Sequence, residues 1–338
     1  MSIEKYLREQ LDAHPSMQPQ DVVKLCYQAS FGAEHLLSDF SGAGKFFAEE
    51  FEAVPAADIP LYENISDNFA RINLSAWKQC GLPASWLFNM FKASAARNPE
   101  GERIMAGNLA DAQKVMPEIY DYVNQYVAQG IRAVHHSDVY RAAEKPAYRI
   151  VRAELLRLIP LLEKIAACTE QPCVIAIDGR AGSGKTGLAD CLGAVLECDI
   201  VRMDDFFLPL ELRSAERLAG PGGNIHYERF KTEVLPKLRH SEAFSYNVFS
   251  CSEMKLGGSR EIASANYRIV EGSYSLHPEF GAYADVNVFC HVEADEQLRR
   301  IRARDGEHFA EIFQSQWIPM EEKYFSTFAI DDKCDAIM

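Results

Sequence analysis

An apolar run, Val174-Ile175-Ala176-Ile177, leads through Asp178 into Gly179-Arg180-Ala181-Gly182-Ser183-Gly184-Lys185-Thr186. These eight residues fit G-x-x-x-x-G-K-[ST], and no other stretch constrains the fold as tightly. The pattern needs a strand before it and a helix after it. Its glycines turn backbone N–H groups inward around phosphate oxygens, and the helix adds its positive N-terminal end. Lys185 is then placed to reach the β- and γ-phosphates of a nucleotide, and the Thr186 hydroxyl to coordinate Mg²⁺. The competing reading is a glycine-rich strand–helix turn with no ligand. The correct flanks on both sides favour a site for ATP or GTP.

The rest of the chain fits a nucleotide site embedded in an acidic protein. The net charge is −14 over 338 residues, which argues against nucleic acid or an anionic membrane as partner, since both require basic surface. A polyphosphate must therefore be met by strictly local positive charge. Nine cysteines occur as isolated singles without C-x-x-C or zinc-like spacing, the usage of reduced thiols in a cytoplasmic protein. The N-terminal stretch MSIEKYLREQLDAHP has no apolar run for export, and no segment approaches ~18 apolar residues.

Residues 1–135 read as a mostly α-helical domain. Val22, Cys26 and Ala29 recur at helical spacing, and Trp86/Met90 and Leu87/Phe91 form i,i+4 pairs. This aromatic face reads as core, although such a face also suits a subunit contact in a homo-oligomer. The piece from Leu61 to Leu74 is ambiguous and can contain a short strand. Residues 136–170 read as a linker and a bridging helix, with Leu155, Leu158, Leu162 and Ile165 at helical spacing and facing the second domain. From 171 to 338, short β-branched runs (Val174–Ile177, Ile200–Arg202, Tyr267–Val270, Val286–His291) alternate with helical stretches. That alternation predicts an α/β fold with a parallel sheet flanked by helices.

Two acids follow predicted strands. Asp204 comes directly after Ile200–Met203 and is followed by Asp205, and Glu271 ends the run from Tyr267. A carboxylate at the C-terminal end of such a strand lies beside the phosphate loop, where it can accept a proton or hold Mg²⁺. An acidic turn capping a helix, or a solvated strand end, is the alternative for each.

With these parts in order, residues 172–335 resemble the uridine kinase and phosphoribulokinase group of phosphate-loop kinases. The motifs that carry the resemblance are DGRAGSGKT at 178–186, MDDFF at 203–207, Tyr246 in YNVFSC, VEGSY at 270–274 and the arginine segment within 286–305. The resemblance implies ATP and Mg²⁺ as cofactors and a small-molecule hydroxyl, such as that of a nucleoside, as phosphate acceptor. Asp204 matches the proposed base, with Asp205 beside it as the other candidate, and Glu271 matches the Mg²⁺-associated acid. Tyr246 matches a nucleoside-contacting tyrosine. Arg300 and Arg304 fall in the arginine-rich helix before the lid, and their spacing of four puts both on one face, suited to clamping the transferring phosphate. A solvated basic surface is the alternative for that helix.

Other positions depart from the family pattern. Cys251 stands where the family has a histidine, Gly222–Tyr227 replaces the ribose-binding aspartate stretch, and the lid after Arg304 is shorter. These changes touch acceptor choice. His226, Arg229 and His277 are candidates for contacting an altered acceptor, against structural roles for each. A kinase for another small alcohol and an ATP-gated binding protein are the rival functions.

In the N-terminal half, Glu34-His35 within Phe31–Leu37 lacks the second histidine of a metalloprotease motif and reads as a buried, hydrogen-bonded histidine. Arg71 and Asn73 are candidates to join it in a pocket. His135-His136 reads as a solvated boundary turn.

Overall fold

In the N-terminal half, the helices Ile3–Ala13, Pro19–Phe31 and Gly101–Val115 each carry an apolar stripe and bury it against one another. Leu7, Val22, Leu25, Cys26, Met105 and Leu109 meet there in one core. The computed structural model describes residues 3–250 and 253–338, so Cys251 lies outside the described residues. The chain divides into two units between Ala166 and Ala167.

The first unit is mostly helical, as expected, with an antiparallel sheet of β1 (Tyr62–Asn64), β2 (Phe69–Asn73) and β3 (Tyr148–Arg152) in the order β1-β2-β3. The ambiguous piece from Leu61 to Leu74 thus contains two strands, and β3 pairs with β2 through Phe69↔Arg152 to Asn73↔Tyr148. Residues 136–166, expected as linker and bridging helix, lie within this first unit. Two features tie them there. β3 supplies hydrogen-bond partners to one side of β2, and Ser137 with His136 is bonded to Asp21. Helical spacing alone cannot reveal a strand pairing some 75 residues apart in sequence. Asn73 is a helix cap, its Oδ1 accepting from the N–H groups of Ser75 and Ala76.

The second unit is built on a parallel sheet. β4 (Cys173–Gly179), β5 (Ile200–Arg202), β8 (Tyr267–Glu271), β9 (Val286–Cys290) and β10 (Ala336–Ile337) lie in the order β10-β9-β4-β8-β5. Between them in sequence, β6 (Phe244–Ser250) and β7 (Lys255–Ile262) form a separate antiparallel ribbon. Every residue of β4 is buried, which is why the central strand reads as an unbroken apolar run. Register decides the rest. Ile177 of β4 and Arg202 of β5 both stand opposite Glu271 of β8. The phosphate loop, Asp204 and Glu271 therefore emerge together at the carboxyl end of the sheet.

Two glycines permit that arrangement. Gly179 has φ +135°, and a Cβ there would meet the Cys290 carbonyl oxygen at 2.2 Å. Gly272 has φ +136°, and its Cβ would meet Met203 Cβ at 2.8 Å. Both are strand ends where the backbone must turn while pressed against a neighbour.

Candidate active site

The phosphate loop closes onto the helix Lys185–Leu196, with Gly184 at φ +94° preceding it. The Lys185 ammonium donates to the carbonyls of Gly179 and Arg180, at 2.8 Å each. The buried Ser183 hydroxyl has no hydrogen-bond partner among the described residues. A lysine folded back across its own loop and an orphaned hydroxyl within it fit a phosphate chain, whose oxygens supply acceptors to both. Arg180 does not point into the loop: its guanidinium pairs with Glu322 and lies 6.0 Å from the Phe325 ring.

Thr186 Oγ1 donates to Glu271 Oε1 at 3.2 Å. The second Glu271 oxygen accepts from Arg202 Nη1 at 2.6 Å, and Arg202 also pairs with Asp190. Thr186 and Glu271 together offer hard oxygen donors beside the loop, which suits Mg²⁺. Arg202 went unrecognised in the sequence because it reads as an ordinary strand residue.

The two aspartates after β5 have opposite surroundings. Asp205 is buried and fully engaged: its carboxylate accepts from Tyr246 Oη at 2.8 Å and from Arg260 Nε and Nη2 at 2.8 and 3.2 Å. Asp204 lines the cavity, and among the described residues nothing donates to its carboxylate. It is open on the cavity side and enclosed elsewhere. That enclosure, followed by the nearby Glu271 charge, raises its pKa above the ordinary aspartate range.

The cavity is about 600 Å³ and holds Lys185, Thr186, Asp204 and Glu271 together with Arg300 and Arg304. Arg300 donates to Glu296 at 2.7 Å and to the Gly182 carbonyl at 3.2 Å, while Arg304 pairs with Asp305. The far wall is apolar, with Phe309, Phe313 and Trp317. Phe313 and Trp317 bound a π-helical turn that separates the helices Glu307–Ile312 and Ile318–Phe328, an irregularity that recurs at functional sites.

Glu321, also unrecognised in the sequence, lies on the last of these helices. Its buried carboxylate accepts from the Ala181 N–H at 3.0 Å and the Ser273 hydroxyl at 2.8 Å. Burial raises its pKa. Asp178, just before the loop, is a structural hub. It accepts from the N–H groups of Gly179, Tyr274 and Leu276 and from the Tyr324 hydroxyl.

The expected acceptor-contacting residues do not converge on the cavity. Tyr246 is 2% exposed, stacks on Phe206, and uses its hydroxyl on Asp205 and the Arg202 N–H. Arg229 is held by Glu233, by the carbonyls of Asp205 and Asn247, and by the Phe206 ring at 4.7 Å. His226 Nδ1 meets Glu228 at 3.1 Å. His277 is buried between Tyr227 and Tyr324; its Nε2 donates to the Pro221 carbonyl and its Nδ1 accepts from the Glu279 N–H. Burial lowers its pKa, keeping it neutral. Arg213 and Asn224 line the cavity instead, and the buried Asn224 Oδ1 has no hydrogen-bond partner among the described residues. Asn224 was hidden in the Gly222–Tyr227 stretch, which sequence comparison registers only as a departure.

Cys168, Cys173 and Asp285 also come together, within 4.8 Å. Asp285, however, already accepts from the Val174 N–H and pairs with Arg239.

These features define the second unit as an α/β fold with a parallel sheet and a phosphate loop at its carboxyl end. No protein-family model matches the chain, and no curated protein sequence matches it. Among solved structures, one described as a possible uridine kinase from Bacillus stearothermophilus is 19% identical, with a TM-score of 0.43 over 55% of this chain and 99% of its own. One assigned as a fructose transport system kinase from Silicibacter is 22% identical, with a TM-score of 0.45 over 54% of this chain and 97% of its own. No helix is long and apolar enough to cross a membrane among the described residues.

Proposed function

We propose that the chain is an ATP- and Mg²⁺-dependent phosphotransferase acting on the hydroxyl of a small molecule. One observation carries this reading. Of the acids lining the cavity, Asp204 alone has a carboxylate that accepts no hydrogen bond among the described residues, and it faces the space beside Lys185 and Thr186. Asp204 is solvent-exposed on that side, so its carboxylate is free to meet a ligand in the cavity.

In this reading the loop amides and Lys185 hold the phosphate chain, and Thr186 with Glu271 holds the metal. A bound Mg²⁺ supplies charge neutralisation on the transferring phosphoryl group. Asp204 accepts the proton of the acceptor hydroxyl, and a pKa raised above the ordinary aspartate range makes it a stronger base than a free aspartate. Arg300 and Arg304 offset negative charge as it spreads over the phosphoryl oxygens. Phe309, Phe313 and Trp317 exclude water, which otherwise competes as acceptor.

An acceptor other than a uridine-type nucleoside is favoured by the buried Tyr246 and by Arg213 and Asn224 on the acceptor side. The test is incubation with Mg-ATP and a panel of nucleosides, sugars and small alcohols, followed by mass spectrometry for acceptor-dependent ADP and a phosphorylated product. Tight ATP binding with no acceptor raising turnover would overturn the kinase reading in favour of an ATP-gated switch.

A further inference from the structure

The N-terminal unit contains a cavity of about 880 Å³ that the phosphate-loop chemistry does not use. Four cations line it, Lys24, Arg141, Lys145 and Arg149, against two acids, Asp39 and Glu50. Glu50 is already committed to Arg149 at 2.6 Å. No carboxylate among the described residues lies within ion-pair distance of Lys24, Arg141 or Lys145, and the Lys24 ammonium donates to the Val134 carbonyl at 3.1 Å. In a chain of net charge −14, surplus cations gathered around one hollow call for a ligand of opposite sign.

The inner wall is a chain of buried polar groups. Asp21 accepts from the Ser137 N–H and hydroxyl and meets His136 Nδ1 at 2.9 Å. His136 Nε2 lies 2.6 Å from the Tyr148 hydroxyl, which also accepts from Gln28 Nε2 at 3.1 Å. Behind them, the buried Arg71 donates twice to Gln28 Oε1 and stacks at 4.5 Å on the Tyr148 ring. The Asp21 contact requires the Nδ1–H tautomer, so Nε2 accepts from the Tyr148 hydroxyl. Packing alone gives no reason to desolvate an aspartate, a histidine, a tyrosine, a glutamine and an arginine together. The arrangement does orient Tyr148 and Gln28, which line the cavity.

Leu36, Phe46, Val54 and Phe91 form the apolar part of the lining. The volume is that of a small-molecule site, and the apolar patch suits a carbon skeleton better than a bare inorganic ion. We propose that this cavity is a second ligand site, which binds a small organic anion bearing a phosphate or carboxylate group. The electrostatics agree with the geometry. Burial, then the charges of Arg71 and Arg141, pushes the Lys24 pKa down to about 8. His35, exposed to the same hollow, is lowered by its enclosure, Lys24, His135 and Arg149. An anion relieves each of these repulsions.

The test is isothermal titration of the full chain, saturated with Mg-ADP, with inorganic phosphate, glycerol 3-phosphate and citrate at low salt. The expected result is saturable one-to-one binding of at least one probe. Binding of the phosphates alone identifies a phosphate ligand, and of citrate alone a carboxylate ligand. Lys24→Gln and Arg141→Glu should each weaken binding by about ten-fold or more, whereas Lys185→Ala should leave it unchanged. Arg141 is exposed, so its reversal tests the site without disturbing the core. Three results would overturn the proposal: no saturable binding by any probe, binding indifferent to Arg141→Glu, or binding abolished by Lys185→Ala.

Discussion

Asp204 and Asp205 are adjacent in sequence and opposite in circumstance. Asp205 is neutralised by Arg260 and Tyr246, whereas Asp204 faces the cavity without a donor. Asp204→Asn is expected to lower phosphoryl transfer by roughly 10²–10⁴-fold while leaving ATP affinity unchanged, as single-turnover kinetics and nucleotide titration would show. Because the Asp204 pKa is raised, the carboxylate protonates at a higher pH than an ordinary aspartate. Activity should therefore fall as pH drops through that raised value, and the acid limb of the kcat/KM profile should disappear in the variant. Tyr246→Phe separates packing from substrate contact. Losing a buried hydroxyl bonded to Asp205 should cost about 1 kcal/mol of stability with little change in acceptor KM. A large KM effect would put Tyr246 at the acceptor after all. Glu321→Gln keeps one oxygen to accept from the Ala181 N–H, presents its amide N–H to the Ser273 hydroxyl, and removes a negative charge next to the phosphate loop. ATP should bind several-fold more tightly, measured by nucleotide titration.

At the scale of elements, the helix Ala294–Asp305 carries five charged residues in its last seven positions, and only some face the cavity. Arg300 and Arg304 line it, while Arg302 pairs with Glu307 and does not. Substituting alanine at Arg300 or Arg304 should reduce kcat, and Arg302→Ala should act as a silent control in the same assay. The turn after β8 is governed by backbone geometry. Gly272→Ala places a Cβ against Met203 at a φ of +136°, so thermal stability should fall by about 1–3 kcal/mol. These elements were partly legible. The parallel sheet announced itself in β-branched runs, and the arginine helix in its spacing. The two strands between Leu61 and Leu74 and their pairing with β3 were not, because sheet partners are chosen by contacts far apart in sequence.

At the scale of the molecule, the chain sorts its charge: an acidic whole carries basic linings in two separate cavities, one in each unit. The first unit also has a built-in acid sensitivity. Burial pushes the His136 pKa down to about 4 from an ordinary 6.5. The unfolded chain therefore takes up a proton first, between about pH 6.5 and 4, and native stability is lost as pH falls through that window. Hydrogen exchange in residues 19–31 and 148–152 should rise there, by an amount corresponding to ~2 kcal/mol, and His136→Gln should flatten the response. His135-His136 read as a solvated turn because nothing local marks a partner; Asp21, which stands 115 positions away, supplies one. Residues 136–166, expected as linker and bridging helix, join the first unit for the same reason.

The phosphate loop, the strand before it and the acids at the ends of β5 and β8 are legible in local residue patterns. Each of these is a local pattern whose residue types are dictated by backbone conformation and phosphate chemistry. Long-range packing sets which of two neighbouring aspartates stays unpaired, commits Tyr246, Arg229 and His277 to packing, and brings Asn224, Arg213 and Glu321 into the cavity. It alone assembled the second, basic hollow from Lys24, His136 and Tyr148. Availability of a polar group depends on who else reaches it, and that is a property of the packed chain.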